Sequence, residues 1–139
     1  MFENILVAVD GSKHSDAAFD VALDIAQKYG SQLFVLHVFQ GGTGGGTLVS
    51  STDEDVNRSI GQQVLNSYEE TAKERGLQNV DILLQEGDAA KKIMETANEI
   101  KCGLLILGSR GRGGFKDLLL GSVSHKVTSH ADCPVLIAK

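Results

Sequence analysis

The chain has 139 residues, 42% of them hydrophobic and 22% charged, with a formal net charge of -5 at pH 7. That is enough for one domain with a real core. The acidic balance excludes a basic nucleic-acid or anionic-membrane footprint spread over the surface. Two cysteines, Cys102 and Cys133, supply neither a disulfide framework nor metal-ligand spacing. They read as unpaired thiols of a reducing compartment. With no basic leader and no apolar run of spanning length, the chain is expected to be cytoplasmic, with no membrane partner.

Ile5–Val9 is a short, continuous apolar run with β-branched residues, as in a strand covered on both faces. Asp10-Gly11-Ser12 ends it in a turn whose serine is a good helix N-cap. From His14 to Tyr29, the residues Ala18, Val21, Ala22, Ile25 and Tyr29 fall on one helical face, and Gly30 sits where a C-terminal glycine belongs. Leu33–Phe39 is a second buried strand, and its His37 reads as a satisfied core residue. Gln40–Ser51 then abandons any pattern, with five glycines in Gly41–Gly46. This is linker composition, without a Walker lysine or GxGxxG spacing.

Ser51 and Glu54 have capping-box spacing. Val56, Ile60, Val64, Tyr68 and Ala72 recur every fourth residue, widened by Leu65, which predicts a long helix to Arg75 stopped by Gly76. Val80–Leu84 reads as a third strand. Gly87-Asp88 opens a third helix, with Ala90, Ile93, Met94, Ala97 and Ile100 inward. Leu104–Leu107 is a fourth strand, Ser122 to about His130 a short helix with Val123 and Val127 inward, and Pro134–Ala138 a fifth strand. Strict alternation of strand and helix predicts an α/β fold, an open parallel sheet with helices on both faces.

Between the fourth strand and the last helix lies GSRGRGGFKDLLLGSVS, Gly108 to Ser124. Glycine lets backbone N–H groups approach an anion, and a helix start offers unpaired N–H groups and the positive end of a dipole. Arg110, Arg112 and Lys116 are three cations within seven residues of an acidic protein. Charge-assisted hydrogen bonds contribute about 1.5–3 kcal/mol each, so a few suffice for a polyphosphate. Ligands of open α/β sheets bind at the carboxyl ends of strands where the strand order reverses. If the first strand is central, with the fourth beside it, Asp10 and Gly108 flank one crevice. A carboxylate repels phosphate but accepts from a sugar hydroxyl or a base amine, so the ligand has an anionic end and a neutral polar end, as a nucleotide does.

Gly108-x2-Gly111-x9-Gly121-Ser122, together with ILVAVDGS near the start, LLILGSRGR before the loop and HADCPVLIAK at the end, resembles the universal stress protein family. The likeness covers the whole chain apart from Gln40–Ser51. Similarity to the ATP-binding branch implies a Rossmann-like five-stranded sheet in the order 3-2-1-4-5, and ATP, with Mg2+, as ligand. It places Asp10 at the adenosine and the backbone of Ala8 and Val38 at the adenine. Leu107, Gly108 and Gly111 would line the ribose and first phosphates, with Arg110 beside them. Gly121, Ser122, Val123 and Ser124 would hold the outer phosphates. It also implies a homodimer through Val135–Ala138 and a regulatory stress-response role. Gly103 departs from the family, whose members often carry Asp there.

Other chemistries find less support. Gly121-Ser122-Val123-Ser124-His125 lacks the last glycine of a GxSxG elbow. His130 and Cys133 are two ligands of a metal site that needs more. No SGGxDS-type turn follows the first strand, and no hydroxyl-rich flavin loop. The expectation is a nucleotide-dependent signalling module without dedicated catalytic residues. The alternatives are a slow ATPase or autophosphorylating phosphotransferase acting at Ser122 or Ser124, and a dimeric interaction protein that binds no nucleotide.

Overall fold

A computed structural model describes residues 1–40, 51–110 and 121–139, with side chains from 54 onward in the second of these stretches. The elements are β1 (Asn4–Ala8), α1 (Lys13–Tyr29), β2 (Gln32–Phe39), α2 (Ser51–Glu74), β3 (Val80–Glu86), α3 (Ala89–Glu99), β4 (Leu104–Gly108), α4 (Ser122–His130) and β5 (Val135–Ala138). The strands form one parallel sheet in the order β3-β2-β1-β4-β5. This is the Rossmann-like arrangement expected from the sequence.

The unbroken apolar run of β1 is explained by its place at the centre of the sheet. Ile5, Val7 and Val9 join α1 and α2 in one core, and Leu6 joins α3 and α4 in the other. Successive residues alternate between two buried faces, so none from Ile5 to Val9 is polar. The Gly41–Gly46 segment lies outside the described residues, and the Ser51 half of the capping box outside the described side chains.

Helix termini follow local chemistry. The Ser12 side chain accepts the Ser15 N–H at 3.2 Å and starts α1. Asp88 does the same for Lys91 N–H at 3.1 Å and starts α3. Gly30 closes α1 at φ 64°, a left-handed conformation that favours glycine.

Three predicted faces are corrected by packing. In α1 the buried stripe is Ala18, Phe19, Ala22, Leu23 and Ala26, while Tyr29 is 65% exposed and meets Phe2 edge-on. The small alanines let the helix sit close to the sheet, which leaves Val21 and Ile25 at the margin. In α2 the C-terminal part of the predicted row, Tyr68 and Ala72, is buried with Leu65. Ile60 and Val56 are 44% and 49% exposed. An every-fourth row advances about 40° per step around a helix. A row seated at Ala72 has therefore turned away from the sheet by Ile60. In α4, Val127 is buried but Val123 is 36% exposed, and Ser124 takes the inward place.

Gly103 has a spatial reason. A Cβ there would collide with the Met1 carbonyl oxygen, so the N-terminal backbone occupies the space a side chain needs. His37 is satisfied as expected, its Nδ1 hydrogen-bonding to the Val9 carbonyl at 2.8 Å.

Candidate functional site

The sheet order reverses between β1 and β4, and the turns leaving those two strands meet there. Val7 pairs with Ile106, which sets the end of β1 beside Leu107 and Gly108. Ala8, Val38 and Leu107 all pack toward the α3 and α4 side at the carboxyl edge of the sheet. Three residues far apart in sequence thereby border one place.

The β1–α1 turn is tightly bonded. Asp10 Oδ1 accepts the Ser12 N–H at 2.9 Å, and Gly11 takes φ 82°. The N–H groups of Asp10 and Gly11 both donate to Ser15 Oγ at 3.1 Å. Ser15 Oγ is 2.9 Å from Tyr68 Oη, and Tyr68 donates to Asp16 Oδ1 at 2.5 Å. The tyrosine proton is committed to Asp16, so of these two hydroxyls it is Ser15 that donates, its one proton shared between Tyr68 Oη and the Ser12 carbonyl at 3.2 Å. Burial and the Asp16 carboxylate raise the Tyr68 pKa well above that of an ordinary phenol.

On the β4 side the chain leaves at Arg110, which is half-buried, and returns at Gly121. Gly121 N–H donates to Ser109 O, and Ser124 Oγ donates to Gly108 O at 2.7 Å. Both ends of the intervening loop are thus tied to the end of β4. Gly111, Arg112 and Lys116 lie outside the described residues. Gly121 is the N-cap of α4 and has no side chain to cap it, while Ser122 and Val123 are exposed at its first turn. Among the described residues no side-chain cap engages this helix start, which carries the positive end of the dipole.

Two of the predicted site residues also have structural roles. Gly108 is required by packing, because a Cβ would approach the His14 carbonyl carbon and oxygen at 2.7 Å. Ser124 is buried with its hydroxyl proton on Gly108 O, so it joins α4 to β4, whereas Ser122 faces outward. The structure also adds residues. Ser109 Oγ lies 3.4 Å from His14 Nδ1, linking the start of α1 to the end of β4. Ser15 and Tyr68 hold the Asp10 turn. Nothing in helical periodicity signals a hydroxyl pair 53 residues apart.

A doubly wound α/β sheet with two bonded turns and a glycine-capped helix start at its switch point defines a Rossmann-like α/β protein. The chain belongs to the universal stress protein family, whose family model matches residues 1–139. It is 34% identical over 154 residues to the universal stress protein YxiE of Bacillus subtilis, covering all of both chains. Among solved structures it is similar to the universal stress protein UspA from Lactobacillus plantarum, with a TM-score of 0.91, 25% identity, and 99% and 98% of the two chains covered. It is also similar to a universal stress protein in complex with cAMP, with a TM-score of 0.77, 25% identity, and 99% and 97% covered.

Among the described residues no cluster of three or more His, Cys, Asp and Glu is placed to hold a metal. No helix among them is long and apolar enough to cross a membrane.

Proposed function

We propose that the protein binds an adenine nucleotide, ATP with Mg2+, in the crevice between the ends of β1 and β4, and acts as a nucleotide-dependent regulatory module in the cytoplasm. The observation that carries this reading is the switch point of the sheet, where the start of α1 at His14 lies against Gly108 and Ser109 at the end of β4, and Ser109 in turn receives the Gly121 N–H at the start of α4. The Asp10 carboxylate accepts from a ribose hydroxyl or the adenine amine, and Ala8, Val38 and Leu107 form an apolar border for the base. Gly108, Arg110 and Gly111 flank the ribose and first phosphates. Gly121, Ser122, Val123 and Ser124 surround the outer phosphates, with first-turn N–H groups as donors. The universal stress protein solved with cAMP supports an adenine ligand.

The Gly121→Val variant tests the cradle. Gly121 has φ -68° and ψ 163°, which valine adopts without backbone strain, so the variant carries branched bulk to the phosphate end on an allowed backbone. ATP affinity is expected to fall at least tenfold, read by titration calorimetry. Unchanged affinity places the phosphates elsewhere. Should phosphoryl transfer to the protein occur, the exposure of Ser122 favours it over Ser124 as acceptor.

A homodimer is part of the same reading. β5 is an apolar edge strand, with Leu136 packed on one core and Val135 and Ile137 on the other. An exposed apolar edge is satisfied by pairing with a second copy.

A further inference from the structure

We propose that α2 clamps the Val9–Gly11 segment and thereby sets the affinity of the crevice for the adenosine end of its ligand, with Tyr68 and His37 as positioning residues. The inference rests on the nucleotide reading for its ligand and on geometry for the clamp itself.

The clamp has two points of contact along one helix. Tyr68 Oη reaches Ser15 Oγ at 2.9 Å, and Ser15 Oγ receives the N–H groups of Asp10 and Gly11 at 3.1 Å each. Tyr68 is itself oriented by Asp16 at 2.5 Å and packs on Phe19, ring centroids 4.8 Å apart. Two turns earlier in α2, buried Gly61 lies against the His37 ring, whose Nδ1 bonds the Val9 carbonyl at 2.8 Å. A Cβ at Gly61 would come within 2.8 Å of His37 Cδ2 and Leu84 Cδ1, so glycine brings α2 close enough for this contact. The carbonyl of Val9 and the N–H groups of the next two residues are therefore all held by side chains governed by α2. Asp10, the residue placed at the adenosine, sits between these anchors.

The arrangement exceeds what folding of the turn requires. Ser12 already caps α1, and Asp10 Oδ1 already closes the turn through Ser12 N–H. Tyr68 and His37 add fixed placement relative to the sheet. A cavity of about 640 Å³ opens between α1 and α2, lined among others by Gly11, Asp16, Ile60, Tyr68 and Arg75. Among the described residues its lining contains none from β4 or α4, so the cavity lies behind the Asp10 turn, on the α2 side of the clamp.

The test uses Tyr68→Phe, Ser15→Ala and the double variant. Tyr68→Phe keeps the ring and removes one hydroxyl. Hydrogen exchange by NMR reads the Asp10 and Gly11 amides without any ligand. Protection of both is expected to drop about tenfold in Tyr68→Phe, with the core strand amides unchanged. Titrations with adenosine, ATP and inorganic tripolyphosphate read the function. Tyr68→Phe is expected to weaken adenosine and ATP about tenfold and to leave tripolyphosphate unchanged. The double variant is expected to bind no more weakly than Ser15→Ala, because Tyr68 acts through Ser15. Unchanged amide protection overturns the clamp. Equal weakening of all three ligands, or additive losses in the double variant, overturns its role at the adenosine end. Lost protection in a protein whose wild type binds neither adenosine nor ATP supports the clamp and overturns the nucleotide reading.

Discussion

Tyr68 donates to Asp16 and accepts from Ser15, and this single hydroxyl has a consequence for stability. Its folded pKa lies above its unfolded value near 10 because burial and a neighbouring carboxylate disfavour the phenolate. Between those values the unfolded chain has released a proton that the folded one retains. Stability contributed by this group is therefore fully present below pH 10 and falls above it by about 1.4 kcal/mol per pH unit. Cys102 acts in the same direction from lower pH. Burial and the nearby Cys133 push its thiol up to about 12. Urea melts at pH 9 to 11 are expected to show a steeper loss in wild type than in Tyr68→Phe. Parallel curves would remove the tyrosine from the account. At this scale Asp10 and Gly121 were legible because a turn and a helix start leave local signatures. Ser15 with Tyr68, and Ser109 with His14, were not, since their contacts depend on how α1 meets α2 and β4 in space.

At the scale of elements, every helix and strand was visible, and the errors concern which way a helix faces. Period alone located α2 but could not seat it, because an every-fourth row winds off any flat surface. The described part of α2 meets the sheet through Gly61, Leu65, Tyr68 and Ala72. This gives a clear contrast. Leu65→Ala, fully buried, is expected to cost about 2–5 kcal/mol. Ile60→Ser, on the exposed part of the predicted row, is expected to cost under about 0.5 kcal/mol. Equilibrium urea unfolding measures both, and a costly Ile60→Ser would restore the simple stripe. For α4 the sequence predicted Val123 and Val127 inward, and Val127 is buried as expected. Ser124 takes the place of Val123, since a buried hydroxyl satisfies the Gly108 carbonyl where β4 ends.

For the whole molecule, alternation of strand and helix implied a parallel sheet, and the likeness to a known family supplied the strand order. That order brings two turns, nearly a hundred residues apart in sequence, side by side at the carboxyl edge of the sheet. The same order leaves β5 at an edge with apolar residues on both faces. Light scattering is expected to give twice the chain mass, and a monomer at micromolar concentration would count against pairing through β5. The central claim is that the crevice binds an adenine nucleotide. Titration calorimetry of the wild-type protein with ATP and Mg2+ tests it most directly. A saturable heat with a dissociation constant in the micromolar range is predicted. Absence of heat, with no thermal stabilisation at millimolar ATP, would contradict it.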